Sequence, residues 1–319
     1  MSSALPPETL SLLLVTRLPG LEDELRGRAL PGVELIRSKN DERTAELIPG
    51  AAIILGDAGL VAPHLDRAEK LRWYQSTSAG VEPVFRLSRR RDYRFTRIAG
   101  LFDAAMAEYV LLHILSRERY LLNLAAQQQR REWREERYRR LGDLTLGIMG
   151  LGSIGGYMAG VAKKFGMQVW GLSRGGEAVA GIDKSFTTEQ LDEFLSGPDY
   201  IVNVLPSTPA TVGLLSGDRL RACRPGAVFI NIGRGDIIAE VDLITALNRG
   251  WIAGAVLDVF EQEPLPDDSP LWEQPGVTVT PHVAAQSMAT DIVNLFGANL
   301  ERYRAGQQLE HLVDWERGY

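Results

Sequence analysis

Short apolar runs alternate with amphipathic stretches along most of the chain. In the first hundred residues Leu10–Val15, Val33–Ile36, Ala51–Leu55 and Arg72–Gln75 read as strands, and Leu21–Ala29 and Leu60–Lys70 as helices. From Asp103 to about Tyr120 a helix pattern is apolar nearly all round, which predicts burial on several sides and marks a candidate subunit interface. A second series follows, with strands over Leu144–Met149, Gln168–Gly171, Tyr200–Leu205, Ala227–Ile230, Ala253–Asp258 and Val277–Thr280. Its helices fall around Ile154–Phe165, Thr188–Leu195, Gly217–Cys223 and Glu240–Arg249. A last helix pattern, Ala289–Tyr303, is expected to return to the first series. Strands alternating with helices predict an α/β fold of parallel sheets covered on both faces. The expected domains are 1–100 with 288–319, and 101–287, with a cleft between them.

Composition narrows the function classes. The 319 residues suit about two domains. A net charge of −6 gives no reason to expect nucleic acid as a partner. No segment approaches the ~20 apolar residues of a bilayer span. Met1–Leu14 lacks the basic stretch of a signal peptide, so no membrane partner and a cytoplasmic location are expected. The single cysteine, Cys223, excludes an internal disulfide and a Cys-rich metal cage, and no metal is expected. Two locally basic stretches, Arg86–Arg97 and Arg130–Arg140, read as solvated faces with ion pairs one helical turn apart. His64, His113 and His311 read as structural or exposed.

The first chemical signal lies in the second series. An apolar strand runs into Gly150-Leu151-Gly152-Ser153-Ile154-Gly155, and an amphipathic helix follows. In such a loop the first glycine makes the tight turn, the second lets the backbone approach a pyrophosphate, and the third packs helix on strand. The helix N-terminus then offers free N–H groups to the phosphates. The first series has no such loop, so the nucleotide is expected in the second. An NAD site usually carries Asp or Glu about 20 residues further on, against the ribose. Here the place reads Leu172-Ser173-Arg174-Gly175-Gly176, and Glu177 is the first carboxylate. Arg174 suits a 2′-phosphate through bidentate, charge-assisted bonds. The cofactor expected is NADP(H), with NAD(H) as the other choice. In the competing reading Arg174 points into water and Glu177 reaches the ribose.

Three further motifs end strands: Asn231-Ile232-Gly233-Arg234-Gly235, Leu257-Asp258-Val259-Phe260-Glu261-Gln262-Glu263-Pro264, and Thr280-Pro281-His282-Val283-Ala284. They supply a fixed cation, a carboxylate and an imidazole. Hydride transfer to a carbonyl needs a proton donor for the developing alkoxide, which histidine can be. It also needs a cation that polarises the carbonyl. A carboxylate beside the histidine favours imidazolium.

Taken together, these motifs resemble the D-isomer-specific 2-hydroxyacid dehydrogenase family over nearly the whole chain, with the glyoxylate/hydroxypyruvate reductases as the most similar branch. Leu205-Pro206-Ser207-Thr208-Pro209 resembles the family's loop over the cofactor, and Ser76–Glu82 its substrate loop. The resemblance implies two Rossmann-like or flavodoxin-like domains. It implies that Arg234 binds the substrate carboxylate and carbonyl oxygen, that His282 is the acid/base, and that Glu263 tunes it. It also implies that Asp258 bonds the nicotinamide amide. Leu205, Pro206, Ile232 and Gly233 would line the cofactor, beside Gly150, Gly152, Ser153, Ile154, Gly155, Ser173, Arg174, Arg234 and His282. Backbone N–H groups at Ser78, Ala79 and Gly80 would take the substrate carboxylate. The substrate is expected to be a small 2-oxo or 2-hydroxy acid, and the assembly a homodimer with Trp133 reaching toward the neighbour.

The chain departs from the family pattern at Leu55-Gly56-Asp57, where several relatives place a polar or basic substrate contact, and at the start of the Asp103 helix, which lacks a common Asn. Formate dehydrogenases of the wider superfamily carry Gln where Glu263 stands. Two other readings stay open here: a nucleotide-sensing scaffold like the corepressors built on this fold, and a dehydrogenase of an unrelated substrate such as phosphite.

Overall fold

The computed structural model describes residues 9–28, 30–176, 179–316 and 318, and falls into two compact units, Met1–Leu101 with Ser287–Tyr319, and Phe102–Gln286. In the first unit β1 (Leu10–Val15), β2 (Val33–Arg37), β3 (Ile53–Gly56), β4 (Trp73–Ser76) and β5 (Arg94–Thr96) form a parallel sheet in the order β2-β1-β3-β4-β5. The connections carry α1 (Leu21–Gly27), α2 (Asp41–Leu47), α3 (Ala58–Val61) and α4 (Glu82–Leu87). Every residue of β3 and β4 is buried, as a parallel sheet covered on both faces demands. The helix expected over Leu60–Lys70 is instead one turn of α3 and then tighter 3-10 turns over Ala62–Arg67. Pro63 explains the break: its nitrogen carries no hydrogen and its ring crowds the preceding turn. The expected end of α1 at Ala29 lies outside the described residues.

The second unit opens with α5 (Asp103–Glu118) and α6 (Leu121–Arg130). Then come β6 (Thr145–Met149), α7 (Ser153–Lys164), β7 (Gln168–Leu172), β8 (Lys184–Phe186), α8 (Leu191–Leu195) and β9 (Tyr200–Asn203). β10 (Val228–Asn231), α9 (Glu240–Asn248), β11 (Gly254–Leu257) and β12 (Val277–Val279) complete it. All seven strands are parallel, in the order β12-β11-β10-β9-β6-β7-β8. The direction of winding reverses between β6 and β9, and at such a switch point the loops on either side splay apart and leave room for a ligand. The chain then returns to the first unit as α10 (Ala289–Arg304), whose Phe296 and Tyr303 stack on Trp73 at 5.0 and 5.6 Å.

α5 differs from the expectation of burial on several sides. It buries Ala107, Val110 and Ile114 but leaves Leu112 58% and Leu115 37% exposed. Leu121, Leu122 and Leu124 of α6 and Trp133 beyond it are exposed as well. The Arg130–Arg140 stretch is not a helix face, because α6 ends at Arg130. Its ion pairs Arg130–Glu132 (2.9 Å) and Arg134–Glu136 (2.7 Å) are two residues apart. Arg139 reaches back to buried Glu118 (2.5 Å) and Asp199 (2.8 Å) and ties the end of α5 to the sheet. No described helix is long and apolar enough to cross a membrane, and the described residues hold no group of three His, Cys, Asp or Glu placed for a metal.

Candidate active site

Strand register sets the site. Met149, Leu172, Asn203, Asn231, Leu257 and Val279 are linked by pairings across the second sheet, so β6, β7, β9, β10, β11 and β12 end at one level. The next residues in each case begin the loops singled out from the sequence. Gly150, Ser173, Val204, Ile232, Asp258 and Thr280, the last of these two residues before His282, therefore emerge from one end of the sheet.

The first loop has the shape of a phosphate cradle. Gly150 has φ of 104°, a conformation that disfavours any side chain. A methyl group on Gly155 would stand 2.0 Å from the carbonyl oxygen of Gly150, so only glycine lets α7 approach β6 this closely. A methyl on Gly152, by contrast, would meet nothing within 4 Å. That open side, together with the exposed start of α7 at Ser153 and Ile154 beside it, fits a dinucleotide pyrophosphate. Leu205 faces the loop: its side chain would be 3.2 Å from a methyl on Gly150. Pro206 follows, its carbonyl accepting from Thr211 Oγ1 at 2.6 Å. Ser173 leaves β7 half-buried with its N–H on Phe186, its hydroxyl accepts from the Gly176 N–H at 3.1 Å, and Arg174 is exposed in this turn. Glu177 lies outside the described residues.

Two asparagines join the neighbouring loops. Asn203 Nδ2 donates to Asn231 Oδ1 (2.9 Å), and both side chains are buried. Asn203 Oδ1 accepts from Leu205 N (3.1 Å), while Asn231 accepts from Gly233 N (3.2 Å) and donates to the Arg234 carbonyl (2.9 Å). The loops carrying Leu205, Ile232, Gly233 and Arg234 are thus one hydrogen-bonded piece. Arg234 also donates to the Gly233 carbonyl at 2.6 Å. Gly235 lies so close to the Phe260 carbonyl carbon that a methyl would sit 1.9 Å from it, which sets the arginine loop against the turn carrying Glu263.

Asp258 anchors the last loop. It is 1% exposed; its Oδ1 accepts from Thr280 Oγ1 (2.6 Å) and Val283 N (2.8 Å), and its Oδ2 from Ala284 N (2.8 Å). Thr280 gives its proton to Asp258, so Tyr109 of α5 supplies the proton in the 2.6 Å bond between their hydroxyls. Burial raises the Tyr109 phenol to about 12, so it stays protonated. The clamp holds His282 at φ 54°, an uncommon conformation outside glycine, with its N–H on the carbonyls of Asp258 (3.0 Å) and Thr280 (3.1 Å). The ring projects into solvent with its side chain 56% exposed, and Nδ1 lies 2.7 Å from Glu263 Oε2. Glu263 Oε1 accepts from Phe260 N at 3.0 Å.

The pair shifts both partners. The hydrogen bond from Glu263 raises His282 above its ordinary value; partial burial and the Arg234 charge oppose this, and the charges of Glu263 and Asp258 add to it. Burial works to raise Glu263, but the bonds from His282 and the Phe260 N–H, with the charges of His282 and Arg234, outweigh it and hold the carboxyl below the ordinary range. Such a pair can hold a proton on an exposed imidazole and release it at Nε2, the nitrogen opposite the one that Glu263 occupies.

The second unit therefore brings together Arg234, Glu263, His282, Asp258 and the glycine loop. Ser78, Ala79 and Gly80 belong to the first unit, at the C-terminal end of β4. There Asp57 accepts from Thr16 Oγ1 (2.7 Å), Arg17 N (2.8 Å) and Thr77 Oγ1, and so ties the ends of β1, β3 and β4 together. Sequence reasoning had no part for Asn203, Thr280 or Tyr109; a polar residue ending an otherwise apolar strand was the available signal for Asn203. His64 pairs with Asp41 at 2.7 Å, a structural contact.

Comparison with known proteins decides the family. Residues 111–284 match the NAD-binding domain of the D-isomer specific 2-hydroxyacid dehydrogenases. The chain belongs to that family. It is accordingly an oxidoreductase that moves a hydride between a nicotinamide dinucleotide and the 2-oxo/2-hydroxy acid couple. Among relatives, it is 35% identical to a glyoxylate/hydroxypyruvate reductase A of Serratia proteamaculans over 268 residues, 81% of this chain and 85% of that one. Among solved structures, a family member from Aeromonas salmonicida superposes with a TM-score of 0.89 at 42% identity, covering 96% of this chain and 99% of the other. The NADPH-dependent glyoxylate/hydroxypyruvate reductase of Sinorhizobium meliloti, in complex with NADP and sulfate, gives 0.87 at 30% identity, with 97% and 100% covered.

Proposed function

We propose that this dehydrogenase reduces a small 2-oxo acid with NADPH, glyoxylate to the achiral glycolate or hydroxypyruvate to its D-2-hydroxy acid, and that it works in the cytoplasm as a homodimer. The observation that carries the chemistry is the 2.7 Å bond between His282 Nδ1 and Glu263 Oε2, made beside Arg234 at the end of the sheet that also bears the glycine loop. The glycine loop would hold the pyrophosphate, with Leu205, Pro206, Ile232 and Gly233 along the dinucleotide and the carboxamide at Asp258. The bound dihydronicotinamide supplies the hydride. Arg234 holds the substrate carboxylate and draws charge onto the carbonyl oxygen. As negative charge grows on that oxygen, His282 gives up its Nε2 proton, and Glu263 keeps the ring charged until then. In oxidation neutral His282 takes the hydroxyl proton instead. The names of the Serratia and Sinorhizobium relatives support the substrate class, and the latter's NADP supports the cofactor.

A panel of 2-oxo acids assayed with NADPH and NADH tests this reading. Turnover of glyoxylate or hydroxypyruvate, faster with NADPH, is expected; binding of nucleotide without turnover of any 2-oxo acid would favour a nucleotide-sensing scaffold. Arg174→Ala should weaken NADPH by about 10- to 150-fold, the worth of one charge-assisted bond. NADH should be little affected, and equal losses would remove Arg174 as the reader of the 2′-phosphate.

A further inference from the structure

One carboxylate at the edge of the glycine loop has no part in the chemistry above. Asp103 is the first residue of α5, and its Oδ2 accepts the hydroxyl proton of Ser153, the first residue of α7. Its Oδ1 is buried and has no hydrogen-bond partner among the described residues. No cation pairs with it among those residues either, so a single neutral hydroxyl supports a partly desolvated anion. That is a costly arrangement unless a further field favours the charge. The N-termini of α5, which Asp103 itself opens, and of α7 both supply one, since a helix start carries about half a positive charge and favours carboxylates. The start of α7 faces the open side of Gly152, where the pyrophosphate belongs.

We propose that Asp103 shares the N-terminus of α7 with the cofactor's pyrophosphate and weakens the binding of every dinucleotide there, setting how tightly the cofactor is held and not which cofactor is chosen. The inference rests on the dinucleotide reading of the glycine loop. Two like charges at one helix end repel, and Ser153 spends its hydroxyl on Asp103 when it would otherwise face a phosphate oxygen. NADPH and NADH carry the same pyrophosphate, so both are affected alike, unlike the action of Arg174. A dinucleotide held less tightly also leaves sooner, because affinity changes of this kind fall mostly on the dissociation rate.

The test is titration of NADPH, NADH and adenosine into wild type, D103N and S153A at low and high salt, by nucleotide fluorescence and, for adenosine, calorimetry. Asparagine keeps an acceptor for Ser153 and removes only the charge. D103N should bind both dinucleotides roughly three- to thirtyfold tighter at low salt, the scale of one unit charge near the protein surface. The gain should shrink at high salt, and adenosine, which has no pyrophosphate, should gain nothing. S153A keeps the carboxylate and should gain nothing. Unchanged or weaker dinucleotide binding by D103N, an equal gain for adenosine, or an equal gain from S153A overturns the proposal. A wild-type protein that binds neither dinucleotide would overturn the reading of the loop itself. Asp103→Ser, also neutral, carries the same expectation should D103N fail to fold.

Discussion

The hydrogen bond between His282 and Glu263 moves His282 up from 6.5 and Glu263 down from 4.5, and the two directions define a pH window. The stability that His282 contributes is whole below 6.5 and is lost as pH rises through its raised folded value. The stability from Glu263 is whole above 4.5 and is lost as pH falls through its lowered folded value. Side-chain exposures of 56% and 36% let solvent screen the pair, so its stability effect is small and catalysis is the sharper probe. Reduction needs imidazolium, so the reductive rate should fall as pH rises through the His282 value, while oxidation shows the opposite limb. Glu263→Gln removes the neighbouring anion and should carry the reductive limb to lower pH with part of the activity kept. His282→Ala should cost about 10²–10⁴ in turnover. Profiles in both directions check this; a limb that does not move in the glutamine variant would leave Glu263 without a tuning role.

At the scale of elements, the β6–loop–α7 unit separates two uses of glycine. Gly155 is there for packing, since a methyl would strike the Gly150 oxygen at 2.0 Å, whereas Gly152 faces open space. Gly155→Ala should therefore cost about 1–3 kcal/mol in urea unfolding, as overpacked sites do. Gly152→Ala should stay within about 1 kcal/mol of wild type, the range of an N-cap exchange, yet lose dinucleotide affinity. Matching losses in stability and affinity for both would merge the two roles. This loop was legible because strand, glycines and helix are contiguous in the chain. Arg234, Glu263 and His282 were legible because each follows an apolar run that could only be a buried strand. What was hidden was short or distant. The helix α2 has one buried residue, Thr44, and so no apolar period to read. The strands β5 (Arg94-Phe95-Thr96) and β8 (Lys184-Ser185-Phe186) hold one apolar residue each, so no apolar run marks them. The Asn203–Asn231 bond and the Tyr109–Thr280–Asp258 chain join residues 28 and 171 positions apart, and only folding brings them within reach.

For the whole molecule, the exposed face of α5 and α6 is the feature with the largest consequence for assembly. Leu112, Leu121 and Leu122 are 58%, 54% and 75% exposed, and Trp133 98%, a run of apolar surface uncommon on a lone chain. A two-fold partner presenting the same face would cover it. Sedimentation at micromolar concentration should give a dimer, and Leu112→Asp with Leu122→Asp should shift it toward monomer; a monomeric wild type refutes the homodimer. The common level at which the strands of the second sheet end bears on how such a chain can change over time. Each strand acts as a ruler whose graduation is one residue, about 3.3 Å. Deleting a residue inside β10 or β11 would withdraw Arg234 or Asp258 by one graduation and turn it to the other face of the sheet. The same deletion in the loop between β11 and β12, beyond Pro264, leaves every graduation where it was. Drift in length is thereby channelled into the loops, and the strands can exchange one apolar residue for another but not lose one.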